Sequence, residues 1–306
     1  MANFPDGHEF AFTVFDDTDN ATVANVEAVY SLLHECGMRT TKSVWVFPPR
    51  GRFQGECLLN TEYLEFTRKL VDQGFEIALH GVGDGYFTRQ EILEGLTLFR
   101  DLLGSYPRSY ANHADNPYNL FWWDRRFEWP VSWLYLLASR RRPPGGADPH
   151  QPYFWADYAL EHIDYIRNLT FKGINTLDFD PRMPYRIDRT ASAANMWFSS
   201  SDGHTVEEFT DLISPTHVEY LAASGGACIV YTHFASGFVK DGKVEPQFEE
   251  RIRHLASLGG WFVPVTELLD HLAKATPTDD PGYRYRLGRN FVWLANRIEK
   301  RLRYRR

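Results

Sequence analysis

Short apolar segments alternate with longer amphipathic segments along most of this chain, and this alternation constrains the fold more than any other feature. Such apolar segments are typical of buried β-strands and the amphipathic ones of helices, so their order indicates βαβ units around a parallel sheet. The predicted strands cover residues 10–15, 41–47, 75–79, 109–111, 194–199, 227–232 and 261–264. The predicted helices cover residues 23–36, 61–73, 88–103, 157–171, 206–223, 246–258 and 265–274.

The alternation predicts a single α/β barrel domain over residues 1–275, because a chain of 306 residues can bury one sizeable core. The pattern breaks at residues 116–152, where tryptophans, prolines and arginines replace the periodic segments. We interpret this stretch as an insertion near the barrel mouth that carries function. The alternative is an insertion that only packs against the domain. Residues 276–306 follow as a basic tail that is predicted to be partly helical.

Charge is distributed unevenly between the predicted domain and the tail. Residues 281–306 hold nine Lys or Arg and one Glu, a local charge of +8 that leaves −15 for the rest of a chain whose net charge is −7. An acidic body disfavours nucleic acid as the main partner. No apolar run has the length of a membrane-spanning helix and the first ten residues lack the order of a secretion signal, so a cytoplasmic protein is expected.

The tail carries apolar residues at helical spacing, with basic residues between them: Phe291, Leu294, Ile298 and Leu302. A helix of this kind can lie on an anionic membrane surface, which predicts peripheral membrane contact as one possibility. The alternative is a helix packed on the acidic barrel, since basic residues beside an acidic body need no membrane.

Polar side chains capable of binding a metal stand where four predicted strands end. Asp16 and Asp17 follow the first strand, His80 the third, Asn112 and His113 the fourth, and His233 the strand at 227–232. The carboxyl ends of barrel strands meet at one mouth, so these side chains are expected to converge there. Each has an ordinary structural explanation alone, but together they predict an active site.

The motifs at these strand ends resemble those of the NodB-like polysaccharide deacetylases. The segments that carry the resemblance are FAFTVFDDTDN, TTKSVWVF, LVDQGFEIALHG and GACIVYTHFASGF, in that order between residues 10 and 271. The resemblance implies a distorted seven- or eight-stranded (β/α) barrel of the NodB-homology type. It also implies one divalent metal ion, most commonly zinc, and an activity that removes an acetyl or other acyl group from a carbohydrate or glycan.

The resemblance further implies roles for single residues. Asp16 would be the general base, Asp17 a metal ligand, and His233 the acid that stabilises the oxyanion or protonates the leaving group. The family's second motif has two histidines spaced His-x-x-x-His, whereas this chain has His80 followed by Asp84. We therefore expect the ligands Asp17, His80 and His113, with Asp84 as the alternative third ligand.

Four further residues are predicted to contact the substrate, because amides and guanidinium groups bind hydroxyls and aromatic faces cover apolar sugar faces. They are Asn112, Asn116, Trp122 and Arg182.

Two other functional classes remain open at this point. A metal-free glycoside hydrolase would need two carboxyl groups from different strand ends, whereas Asp16 and Asp17 are sequence neighbours. A non-catalytic carbohydrate-binding barrel is suggested by the missing second histidine. Bound metal separates the hydrolase from both alternatives.

Overall fold

A computed structural model describes residues 4–139 and 144–303 of the chain. Seven parallel strands form a closed barrel, which confirms the predicted NodB-type (β/α) architecture. The strands are β1 (Ala11–Asp16), β2 (Thr41–Val44), β3 (Glu76–Leu79), β4 (Ser109–Ala111), β5 (Tyr165–Phe171), β6 (Met196–Asp202) and β7 (Ala227–Thr232). The barrel is closed by β1 and β7, which pair along their whole length from Ala11↔Ala227 to Asp16↔Thr232.

Helices cover the outside of the barrel and bury the outer faces of its strands. They are α1 (Val23–Glu35), α2 (Thr61–Asp72), α3 (Arg89–Leu103), α4 (Val131–Ser139), α5 (Ala156–His162), α6 (Thr176–Phe179), α7 (Val206–Leu212), α8 (Pro215–Ser224), α9 (Pro246–Ser257), α10 (Val265–Ala275) and α11 (Tyr283–Arg303). A two-stranded hairpin of β8 (Val239–Lys240) and β9 (Lys243–Val244) precedes α9. None of the helices in the described ranges is long and apolar enough to cross a membrane.

The helix predicted at residues 157–171 is wrong. It is instead the short helix α5 followed by strand β5, all seven residues of which are buried. Polar residues within β5 gave its sequence the pattern of an amphipathic helix, but Arg167 points into the barrel, where it bonds Asp17, and the pairing of β5 with β6 is irregular between Arg167 and Thr170.

Two other predicted elements also differ. Residues 206–223 form α7 and α8 rather than one helix, because Pro215 has no backbone N–H and opens a new helix at its first turn. The strand predicted at residues 261–264 is reduced to a single bridge between Trp261 and Ala11. The barrel therefore has seven strands rather than eight.

The predicted insertion and the tail pack against each other beside β5. Phe127, Val131 and Trp293 form a small apolar cluster with Leu169 and Phe171 of β5. The carboxyl end of β5 thus supports both α4, from the insertion, and α11, from the tail. The arginine-rich run at residues 140–142 lies outside the described residues.

Candidate metal centre

Three side chains from three strand ends meet inside the barrel mouth. Asp19 follows β1, His80 follows β3 and His113 follows β4, and one ligand atom from each lies within 4.8 Å of the others. All three residues are buried. The sequence placed His80 and His113 together correctly in space, but the carboxylate that joins them is Asp19, a residue that the sequence analysis did not single out.

His113 is the buried residue of this group whose ring nitrogens have no hydrogen-bond partner within the described residues. Its side chain is 0% exposed, and neither ring nitrogen makes a hydrogen bond within the described chain. Nε2 lies 3.1 Å from the Asp19 Oδ1 atom, which is also without a hydrogen bond. Leaving buried polar atoms unsatisfied costs about 1–3 kcal/mol for each group. A cation between these atoms would satisfy them, so the donor set fits a metal ion.

Asp84 lies on the other side of the His113 ring. Its Oδ1 atom is 3.6 Å from His113 Nδ1, while its Oδ2 atom accepts a hydrogen bond from the Phe53 N–H. Metal-binding histidines commonly direct their second nitrogen toward a carboxylate in this way, which orients the ring. Asp84 therefore faces Nδ1 of the His113 ring, whereas Asp19 faces Nε2.

His80 is oriented by the backbone. Its Nδ1 atom lies 2.9 Å from the carbonyl oxygen of Ala111, and because a carbonyl can only accept, Nδ1 carries the proton. The lone pair is then on Nε2, which faces Asp19 Oδ1 at 3.4 Å. This is the tautomer that a metal ligand needs.

The charges of the site favour a cation. Burial raises the pKa of Asp19, but contacts with His113, His233 and His80 outweigh burial and hold that pKa well below its usual range. Asp19 and Asp84 form no ion pair with any Lys or Arg of the described residues. Two buried carboxylates without a cationic partner leave a negative centre that a divalent ion would neutralise.

Asp17 is held by an arginine. Both of its oxygens accept hydrogen bonds from the Arg167 guanidinium, at 2.8 and 2.5 Å. Burial raises the pKa of Asp17, but the Arg167 charge together with His80 outweighs it and lowers that pKa. Asp17 remains beside the centre, with Oδ2 3.6 Å from His80 Nε2. Among the described residues, Asp17 therefore has Arg167 as its hydrogen-bond donor and His80 as a neighbour.

Asp16 points away from the centre, toward the layer between the barrel and α1. It accepts hydrogen bonds from Tyr30 Oη and the Phe234 N–H at 2.8 Å each, and Lys42 Nζ lies 3.1 Å away. The cause is strand alternation, since successive side chains point to opposite faces. Phe15, Asp17 and Asp19 share one parity and Asp16 has the other.

Lys42→Met is expected to lower the free energy of unfolding by about 3–5 kcal/mol, because it leaves the fully buried Asp16 carboxylate without its cation. Urea denaturation measures the change. Adding Asp16→Asn to Lys42→Met should restore part of the loss, because the uncompensated charge is then gone. If Asp16→Asn alone stopped turnover at unchanged stability, Asp16 would be the base that the resemblance implies.

His233 approaches Asp19 from β7. Its Nε2 atom lies 3.3 Å from Asp19 Oδ2, and its ring packs against that of His204, with centroids 4.4 Å apart. His233 Nδ1 makes no hydrogen bond among the described residues. His233 therefore borders the centre on the side opposite His113.

The residues predicted to bind substrate have partners within the protein. Asn112 exchanges two hydrogen bonds with the backbone of Leu120, and Asn116 bonds the backbone of Gly83 and Gly85. The Trp122 ring lies under the Arg126 guanidinium at 4.2 Å. Arg182 pairs with Asp279 at 3.1 Å. The two asparagines thus shape the loop after β4, and no observation assigns any of the four to a substrate.

Asp19 and Arg167 are the two residues of the centre that sequence reasoning missed. Asp19 lies in the turn after β1, and the signal that could have found it is a third carboxylate within three residues of the end of that strand. Arg167 was hidden because its segment was interpreted as a helix. An arginine flanked by apolar residues in a strand is the signal that identifies it in retrospect.

The sequence matches no protein-family model and no curated protein. Solved structures do share the fold. The chain superposes on a protein from Mycobacterium smegmatis assigned as a polysaccharide deacetylase, with a TM-score of 0.52, 14% identity and coverage of 92% of this chain and 96% of that one. The fold is therefore the one found in polysaccharide deacetylases, and the predicted resemblance is confirmed at the level of the fold.

Two further structures have the same architecture. The Puue allantoinase gives a TM-score of 0.51 at 11% identity, over 90% of this chain and 94% of that one. A Pseudomonas aeruginosa PAO1 protein described as a probable polysaccharide deacetylase gives 0.50 at 11% identity, over 90% and 95%.

Proposed function

We propose that this protein is a metal-dependent hydrolase that removes an acyl group from a carbohydrate or glycan, with Asp19, His80 and His113 as the protein ligands. The observation that carries the proposal is the buried group of Asp19, His80 and His113 at the barrel mouth, in which His113 has two unsatisfied nitrogens. Two imidazoles and one carboxylate are a donor set that zinc accepts, with an open position left for chemistry. Zinc is therefore the proposed ion.

A bound divalent ion would polarise the acyl carbonyl and lower the pKa of a water molecule toward about 7. Asp17 would accept the proton from the attacking water. Its low pKa keeps it ionised at neutral pH, and the two hydrogen bonds from Arg167 fix its orientation beside His80. We prefer Asp17 to Asp16 for this role because Asp16 is surrounded by three donors outside the centre.

His233 would complete the reaction by donating a proton to the departing amine or alkoxide. It stands at the end of β7, 3.3 Å from Asp19, and therefore borders the reacting centre without belonging to the ligand group. Imidazole is suited to this task because its ordinary pKa lies near neutral pH.

A carbohydrate is the proposed substrate class. It rests on the order of the motifs at the strand ends and on the names of structures with this fold, two of which are polysaccharide deacetylases. A metal-free glycoside hydrolase is disfavoured because Asp17 and Asp19 both lie against His80 rather than standing as a separated pair of carboxyl groups.

Acetate release from a panel of N-acetylated and O-acetylated oligosaccharides tests this function. Activity should fall to background after treatment with a strong chelator and return when about one equivalent of zinc is added. Asp19→Ala should be inactive under all conditions, whereas Asp72→Ala, at an exposed aspartate on α2, should match the wild type.

The same assay can contradict the proposal. Acetate release that survives complete removal of metal would exclude the proposed chemistry. New reducing ends without acetate would support a glycoside hydrolase instead.

A further inference from the structure

Helix α4 exposes large apolar side chains to solvent. Trp133 is 54% and Leu137 58% exposed, and Leu134 and Leu136 are also exposed. Its remaining large apolar residues, Val131 and Tyr135, pack on the small cluster around Trp293. One short helix thus anchors one side on the protein and leaves the rest of its apolar surface uncovered. Contiguous exposed apolar surface of this kind marks an interaction site.

Helix α11 has the same property along its length. Its side toward the protein is formed by Asn290, Trp293 and Arg297, which are three to four residues apart. Phe291 and Leu302, which are 48% and 66% exposed, lie on the outward side together with Ile298. Of the apolar stripe that the sequence displays, Leu294 packs on the cluster around Trp293, whereas Phe291, Ile298 and Leu302 are exposed.

The two exposed surfaces adjoin. Tyr283 Oη donates to the carbonyl of Trp129 at 2.6 Å, and the Glu128 N–H donates to Asn290 Oδ1 at 2.7 Å, so the chain entering α4 lies along the first half of α11. Asn290 directly precedes Phe291 in α11. We refer to the following exposed apolar residues of both helices, together with Trp129 just before α4, as the α4–α11 face: Trp129, Trp133, Leu134, Leu136, Leu137, Phe291, Ile298 and Leu302.

The segment that carries α11 is rich in basic residues. The segment at residues 281–306 has a charge of +8, against −15 for the rest of the chain. Arg297 and Lys300 are paired with Asp202, but Arg284 and Arg301 are exposed. Apolar and aromatic residues bordered by arginines complement an anionic lipid surface, whose headgroups are negative and whose interface accommodates tryptophan.

We propose that the α4–α11 face docks this protein on an anionic lipid membrane as a peripheral contact. The apolar side chains of α4 and α11 enter the interface, and the exposed Arg284 and Arg301 of α11 contact the headgroups. Strand β5 sends Arg167 into the candidate metal centre and supports α11 through Leu169 and Phe171. The helices that carry the docking face therefore pack on the strand that supplies Arg167. This inference does not depend on the proposed hydrolase activity.

Sedimentation with vesicles tests the proposal. The full chain should bind vesicles made of equal parts phosphatidylglycerol and phosphatidylcholine, bind pure phosphatidylcholine weakly, and lose binding as salt is raised. The double variant Leu137→Ser with Phe291→Ser should weaken binding by about tenfold or more, because it removes two exposed apolar contacts. The matched control is Leu59→Ser with Val71→Ser, two exposed apolar residues on another surface, and it should bind like the wild type.

Three results would overturn the proposal. One is a folded protein that binds neither kind of vesicle. Another is vesicle binding that the Leu137→Ser and Phe291→Ser changes leave intact. The third is self-association in analytical ultracentrifugation that the same double variant abolishes without any vesicle binding, which would assign the face to a second copy of this chain.

Discussion

His113→Ala should reduce the metal content of the purified protein from about one ion per chain to nearly none. His113 contributes one of three proposed ligands, and its ring lies between two buried carboxylates that have no Lys or Arg partner in the described chain. Two remaining ligands bind zinc far more weakly than three, and the loss of one removes the geometry of the site. Elemental analysis measures the change directly, and thermal unfolding with and without added zinc measures it independently, because an ion that binds only the folded state raises its stability.

Two further variants are needed to interpret the result for His113→Ala. Asp84→Ala should keep most of the metal but bind it with lower affinity, by about 10–100-fold, because it removes only the carboxylate behind the ring. His254→Ala, on the outer helix α9, should behave as the wild type. If Asp84→Ala emptied the protein while His113→Ala did not, the alternative ligand set with Asp84 would be correct.

Asp17→Asn should leave the metal in place and lower kcat by about 10²–10⁴-fold, the usual contribution of a positioned acid or base. Asparagine keeps the size of the side chain but cannot accept a proton. The change also leaves the buried Arg167 guanidinium without its carboxylate, so a loss of stability of about 3–5 kcal/mol is expected with it. Single-turnover kinetics and metal analysis on the same preparation separate the catalytic effect from the structural one.

The double variant Asp17→Asn with Arg167→Gln distinguishes catalysis from folding. It removes both buried charges, so stability should recover in part while turnover stays low. Recovery of turnover together with stability would show that Asp17 only supports the fold. Loss of metal in Asp17→Asn would instead return Asp17 to the ligand set predicted from the sequence.

The barrel could be predicted from the sequence because its strands are buried on both faces and appear as short apolar segments. The convergence of His80 and His113 could also be predicted, since both follow such segments and parallel strands end at one mouth. The choice among Asp16, Asp17 and Asp19 depends on which face of the chain each occupies. The resemblance implies Asp16 as the base and Asp17 as a ligand, whereas the proposal made from the geometry has Asp17 as the base and Asp19 as a ligand.

The strand that carries Arg167 illustrates why the rest could not be predicted. Its polar residues are buried by partners far away in the sequence, so local periodicity indicated a helix. The same holds for the tail. Helical spacing predicted α11 but not which side would pack, because that side is chosen by Trp293 and by ion pairs to Asp202 rather than by the longest apolar stripe.

The β3–β4 boundary gives the proposed ion a further consequence. These neighbouring strands pair at a single position, Leu79↔Tyr110, which is fewer than for any other two neighbouring strands of the barrel. The His80 side chain already spans this join through its hydrogen bond to Ala111. An ion bound by His80 and His113 would also link β3 to β4, at the ends of these strands that face the barrel mouth. Metal binding and the closure of the barrel between β3 and β4 would then depend on the same two histidines. A substitution of either histidine would affect both properties.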